Sequence, residues 1–180
     1  MFRMTVEGQF SAAHAIRDYP GYNQHTRYVS RSGRNDFVSL KVARDDRFIY
    51  FYARTREPIT PWSDPGWMRL LIDVDCNRQT GWEGYDYVVN RKVGSATSTT
   101  LEKNAGGWNW QGVGELALVT RGNELHLAVP RSALGFEAAK GPLRFDFKWT
   151  DNVPDSGNIL DFLTDGDVAP NARFNYHFEE

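Results

Sequence analysis

Hydrophobic and polar positions alternate in short runs along this chain, and turn residues separate the runs. Residues 37–43 place Val38, Leu40 and Val42 on one face and Ser39 and Lys41 on the other, the period-two pattern of a half-buried strand. Residues 48–55 (FIYFYART) follow the charged turn RDDR, so the two runs read as a hairpin. A loop with three prolines, EPITPWSDPG, separates this hairpin from strands expected at 68–73 and 85–91. Weaker strands are expected at 97–103 and 108–111. A second hairpin joins 115–120 to 124–130 around Arg121, Gly122 and Asn123. PRSALGF suits one helical turn, with Pro at its start and Gly at its end. Residues 143–149 alternate cleanly and turn Leu143, Phe145, Phe147 and Trp149 inward. The stretch 150–171 reads as loop, and RFNYHF reads as a closing strand.

Many short strands at this spacing, without long helical periods or repeats, predict an all-β antiparallel sandwich with one short helical turn. A parallel α/β sheet would need helical crossovers that the pattern lacks. The 180 residues fit one domain spanning 1–180 and are enough to bury a core without covalent staples. The lone Cys76 excludes an internal disulfide. Formal charge is −2, which removes the basic stripe that nucleic acid requires. No apolar run approaches the roughly 20 residues of a membrane span. A secreted domain is expected, although the first residues lack the apolar core of a signal peptide; its signal would have been removed or would lie upstream.

One segment carries metal chemistry. In DVDCNRQTGWEGYD, Asp73, Asp75 and Asn77 alternate at the start of a hairpin connection, and Asp86 opens the returning strand. Calcium takes six to eight oxygens from carboxylates, amides, backbone carbonyls and water. The opening spacing matches an EF-hand loop, but Gly84 stands where that loop has its closing Glu. The hairpin instead brings Asp86 opposite Asp73, and Gln79 or Thr80 adds a backbone carbonyl. The expected ligand set is Asp73, Asp75, Asn77, Thr80 and Asp86. The alternative is an Asp/Asn-rich turn without an ion, since these residues favour turns. Asp161, Asp165 and Asp167 form a second acidic stretch that reads either as a further ion site or as turn chemistry.

Aromatics are 14% of the chain, with six tryptophans, a share that either fills a core or lines a binding face. A sugar presents an apolar C–H face that stacks on indole, and hydroxyls that bond polar side chains. Trp67, Trp82, Trp108 and Trp110 are candidate stacking residues, with Arg69, Asn90 and Asn109 as polar partners. Trp108 and Trp110 share a face if their segment is a strand. Any of these rings serves equally well as core.

The ordered set GRND (33–36), LKVARD (40–45), IYFYARTREPITP (49–61), WMRLLIDVD (67–75), TGWEGYDYVVNR (80–91), LAVPRSALG (127–135), FKWTDN (147–152) and DGDVAPNARFNY (165–176) resembles family-9-like carbohydrate-binding domains. Such domains are C-terminal or free-standing modules of bacterial polysaccharide-degrading proteins, and the resemblance runs over residues 12–178. It implies a jelly-roll-like sandwich with bound calcium and non-catalytic binding of a polysaccharide or oligosaccharide, in some cases beside an attached glycoside hydrolase domain. Well-studied members hold a terminal sugar between two tryptophans, with Glu, Arg and Asn as polar ligands. By position Asn90 matches the Asn, whereas Arg69 stands at the Glu and Val88 at the Arg.

Two other readings stay open: a structural or docking sandwich with no sugar site, and a glycan-active enzyme using a pair of loop carboxylates. The four histidines, His14, His25, His126 and His177, show no metal-ligand spacing, and no nucleophile elbow, phosphate loop or HExxH is present. Haem would need axial ligands that Met1, Met4, Met68 and the sparse histidines supply poorly.

Overall fold

The runs at 37–55 fold as two strands, β2 (Phe37–Arg44) and β3 (Phe48–Thr55), preceded by β1 (Phe2–Thr5) on the outer edge. The computed structural model describes residues 2–5, 32–136, 142–163, 166–171 and 173–180. Along the rest of the chain come β4 (Arg69–Asp73), β5 (Tyr87–Val93), β6 (Ser98–Asn104), β7 (Trp110–Arg121) and β8 (Glu124–Pro130). They are followed by β9 (Arg144–Asp151), β10 (Asp167–Ala169) and β11 (Tyr176–Glu179). Every pairing is antiparallel, in the order β1-β2-β3-β8-β7-β6-β5-β4-β9-β10, with β11 also on β9. The sheet folds over on itself and nearly closes, because the Phe37 N–H at the start of β2 donates to the Asp167 carboxylate of β10 at 2.7 Å. The chain is therefore all-β and antiparallel, as expected from its alternation.

Strand β7 is what joins the two layers. Its first part pairs with β6 as far as Ala117, and its last four residues pair with β8. The sequence pattern splits this strand in two because Gly112 and Gly114 have no side chain to alternate; a bulge there keeps the backbone paired. A second bulge, between Phe37 and Ser39, corrects the facing expected for β2. It turns Phe37 inward with Leu40 and Val42, all at most 1% exposed, and leaves Val38 half-buried. The short 3-10 turn Arg131–Leu134 starts after Pro130 and ends at Gly135 (φ +79), as the Pro–Gly spacing predicts. A second 3-10 turn, Ile159–Leu163, and strand β10 lie in the stretch read as loop.

The main core lies between the layers. Phe51 meets Phe145 and Phe147 edge-on with ring centroids 5.8 and 5.5 Å apart, and Phe37 packs against Trp149 at 6.0 Å. The second layer is buried on its other face as well: all five residues of β4 are buried. There a smaller core gathers Leu71, Trp82, Tyr85, Val88 and Trp110 under Val153, Phe162 and Val168. Residues 73–86 and 152–163 are thereby pinned over one side of β4 and β5, which determines what the site can expose.

Candidate functional site

A cleft of about 690 Å³ opens at the end of β4 and β5. That volume lies within the range of small-ligand sites, about 300–1,000 Å³. Residues 62–67 form one wall, and Asn152 to Asp155 form another. Arg69, Asn90, Arg91 and Lys92 line the strand side between them.

A buried network positions the Trp62 wall. Asp151, fully buried on β9, accepts hydrogen bonds from Arg34 Nε (2.8 Å), Asn35 Nδ2 (2.9 Å) and the Met68 N–H (2.9 Å). Asn35 then holds Thr60 at both ends, giving Nδ2 to its hydroxyl and taking its N–H, each at 3.0 Å. Trp67 is 2% exposed, and its indole N–H donates to the Thr60 carbonyl at 2.9 Å. Trp62, five residues earlier, is 38% exposed and stands at the cleft rim. The motif GRND thus acts on the cleft through a loop 25 residues away.

The strand side is charged and tightly held. The Arg69 guanidinium is buried beneath Val153 and Pro154, whose carbonyls accept from Nη1 at 3.1 and 3.2 Å. Burial pulls its pKa below the ordinary value, and Asp155 partly offsets this. Arg91 forms a two-pronged pair with the fully buried Glu102, at 2.9 and 2.7 Å. Asp155 bridges the two arginines, 3.4 Å from Arg69 and 3.3 Å from Arg91, and accepts the Trp108 indole N–H at 3.1 Å.

Asn90 sits at an irregularity of β5 with φ +64, and its Nδ2 donates to the Met68 carbonyl at 2.7 Å. Met68 (φ +32) and Asn152 (φ +58) are also left-handed. Asn90 and Asn152 line the opening and Met68 is buried next to Trp67 and Arg69, so the backbone there is held in place by its surroundings. Among the described residues, Arg69 Nε and Asn90 Oδ1 have no hydrogen-bond partner, one donor and one acceptor on facing strands beneath the cleft. Each such buried atom costs about 1–3 kcal/mol unless water or a ligand network reaches it.

The sequence-selected residues divide between this cleft and elsewhere. Trp67, Arg69 and Asn90 lie at the cleft. Trp82 (6% exposed) and Trp110 (9% exposed) belong to the smaller core instead, where Trp108 meets both edge-on at 4.2 and 5.5 Å and Trp82 meets Phe162 at 5.9 Å. Their faces are spent on one another, because β4 and β5 need an apolar cover on their outer side. Asn109 is exposed and closes its own turn by donating to the Gly106 carbonyl at 2.8 Å. Trp62, Arg91 and Asp155 are cleft residues that sequence reasoning passed over. Trp62 was legible as a tryptophan in a proline-rich loop, whereas Asp155 resembles any turn aspartate until the two arginines are seen around it.

At the opposite end of β4, the register Ile72↔Tyr87 returns Asp86 beside Asp73. Oxygens of Asp73, Asp75 and Asp86 lie within 4.8 Å of one another. Two ligands across a calcium ion are separated by at most about 5 Å, twice a bond of ~2.3–2.6 Å, so the spacing fits that ion. Burial and the Asp75 and Asp86 carboxylates push Asp73 up to about 7, and burial raises Asp86 too. Asn77 and Thr80 serve the turn itself: Asn77 Oδ1 accepts the Gln79 N–H at 3.0 Å, and the Thr80 hydroxyl lies 3.0 Å from Asp75. The Thr80 carbonyl accepts the Gly84 N–H at 3.1 Å. Gly81 (φ +61) permits the turn, because a Cβ there would lie 2.1 Å from the Tyr85 carbonyl oxygen.

Two of the acids in the second acidic stretch lie among the described residues, and each has a hydrogen-bond partner. Asp161 pairs with the Ser156 hydroxyl and Asp167 takes the Phe37 N–H, while Asp165 lies outside the described residues. Of the histidines, His14 and His25 also lie outside them, His126 packs on Tyr52, and His177 pairs with Asp146. Comparison with known proteins yields no matching family model, no matching curated protein and no matching solved structure. The functional reading therefore rests on the chemistry of the cleft and the acidic loop.

Proposed function

We propose that this chain is a non-catalytic carbohydrate-binding module of the family-9-like kind, with its sugar site at the Trp62 cleft. One observation carries the reading: an exposed indole stands at the rim of a pocket that also presents fixed donors and acceptors, Asp155 held between Arg69 and Arg91, and Asn90 below. An apolar platform beside preset hydrogen-bonding groups suits a sugar ring, which is apolar on its faces and polar at its rim. The groups are ordered before any ligand arrives, which lowers the entropy cost of binding. Trp67 backs the site and holds the loop, and Trp62 supplies the stacking face. Relative to the sugar ligands implied by the family resemblance, Asn90 is kept and Arg69 stands in place of an acid, so the preferred sugar differs from that of the well-studied members.

Asp73, Asp75 and Asp86 would hold a calcium ion, and Asn77 and Thr80 shape the turn that presents them. Bound there, the ion supplies charge neutralisation for three crowded carboxylates and so fixes the hairpin that carries Trp82 into the smaller core. In this reading the protein is secreted and acts on an extracellular polysaccharide, as part of, or beside, a polysaccharide-degrading enzyme.

Affinity electrophoresis through gels containing plant, algal and microbial polysaccharides tests the proposal. Retardation by at least one polysaccharide, abolished by Trp62→Ala, is expected. No retardation in any gel would instead favour a structural module, a reading that the burial of Trp67, Trp82, Trp110 and Trp149 also supports.

A further inference from the structure

A second group of metal-ligating side chains lies next to the acidic loop, and its donors are of a different kind. Strand pairing sets His177 of β11 opposite Asp146 of β9, and Asp146 opposite Asp73 at the end of β4. Cys76, left-handed at φ +54, turns its thiol toward Asp146 while Asp75 beside it turns toward Asp73 and Asp86. One atom each of Cys76, Asp146 and His177 lie within 4.8 Å of one another. We propose that these three residues form a cation site separate from the calcium loop, selective for a borderline-soft divalent ion of the zinc class.

The argument from distance is direct. A tetrahedral zinc ion with Zn–S of about 2.3 Å and Zn–N or Zn–O of about 2.0–2.1 Å separates sulfur from oxygen by roughly 3.5 Å, and nitrogen from oxygen by roughly 3.3 Å. Cys76 Sγ and Asp146 Oδ1 are 3.8 Å apart, within a few tenths of an ångström of that spacing. His177 Nδ1 and Asp146 Oδ1 are 2.6 Å apart, a hydrogen bond that must open by somewhat under an ångström to admit the ion. The His177 side chain is 48% exposed on a strand that pairs on one side only, so the ring has solvent on one side to move into.

The ring's other face supports the assignment independently. Its Nε2 lies 3.5 Å from a Glu179 carboxylate oxygen, the outer partner that metal-bound histidines commonly use to orient the ring. Sulfur, nitrogen and oxygen donors together suit zinc and not calcium, which takes oxygen alone. Three protein ligands leave the fourth position to water. Binding releases the Cys76 thiol proton to solvent, since the ion takes the thiolate, and the His177 Nδ1 proton leaves for solvent or moves to Nε2, which then donates to Glu179. An ion there would tie β11 to the loop after β4, two elements with no strand pairing to each other.

Cobalt and zinc titrations of the reduced full-length protein in excess calcium test the site. Expected is one equivalent of cobalt with a thiolate-to-metal charge-transfer band in the near ultraviolet. Zinc should bleach that band, and calcium should leave it unchanged. Cys76→Ser should abolish the band, and His177→Ala should weaken zinc binding roughly tenfold or more. The proposal is overturned if no band develops, if calcium bleaches it, or if His177→Ala binds zinc as tightly as the parent chain.

Discussion

Trp62 and Trp82 are the same residue type twenty positions apart, and the fold uses them for opposite purposes. Trp82 packs among Tyr85, Trp108 and Phe162, so Trp82→Ala leaves a cavity and is expected to cost about 3–5 kcal/mol in urea denaturation. Trp62→Ala removes a rim side chain and is expected to change stability by no more than about 0.5 kcal/mol. It should nonetheless weaken glycan binding roughly tenfold or more, as the loss of a central aromatic anchor does.

Asp167 provides a residue-level test by pH. Burial raises its pKa from the ordinary 3.8 to about 7, against the favourable Phe37 N–H. The folded chain therefore keeps a proton there that the unfolded chain has already lost. The associated stability is fully present below about pH 4 and is lost as pH rises through about 7. Urea midpoints at about pH 5 and about pH 8 should show the parent losing more stability than Asp167→Asn across that interval. Equal losses would contradict this account of Asp167.

At the scale of elements, two loops frame the proposed sugar and calcium sites, and each is held by a different device. Residues 57–67 are held through the Asp151, Asn35 and Thr60 network. Asp151→Ala leaves Arg34 without its buried counter-charge and the Met68 N–H without an acceptor. It should cost about 3–5 kcal/mol by thermal or chemical unfolding, the range for breaking a buried pair. Residues 73–86 are held by the Trp82 turn, and they bring the Asp73, Asp75 and Asp86 carboxylates together. Calcium at a hundred times its Kd is expected to add about 2.7 kcal/mol to stability, and EDTA to remove it. In Asp75→Asn the melting curves with calcium and with EDTA should move together. A parent chain with superimposable curves in calcium and EDTA would exclude the ion from this loop.

At the scale of the whole molecule, the strands and the hairpins β2–β3 and β7–β8 follow from period-two alternation and from turns such as Gly122–Asn123, both readable along the chain, whereas the pairings of β3 with β8 and β4 with β9 do not. The acidic hairpin was legible for the same reason: strand register alone returns Asp86 to Asp73. What alternation could not show is that the second layer is covered on both faces. Leu71 and Val88 point away from the main core, and a continuous apolar run does not say what lies over its second face. Val153, Phe162 and Val168 provide that cover together with Trp82 and Trp110. The same cover raises the Asp155 wall of the cleft, so the site depends on a pairing between loops far apart in sequence, which periodicity cannot express. The bulges at Phe37 and Gly112–Gly114 were hidden too, since an inserted residue reverses the facing of whatever follows it.

The central claim is that a glycan binds at the Trp62 cleft and not on the clustered tryptophans. The six indole N–H groups give separate nitrogen-15 resonances, each reporting on one ring. Titration with an oligosaccharide from the retarding polysaccharide should shift the Trp62 resonance most and Trp67 next, while Trp82, Trp110 and Trp149 stay in place. Six unmoved resonances, or shifts centred on Trp82 and Trp110 with Trp62 unchanged, would contradict the account.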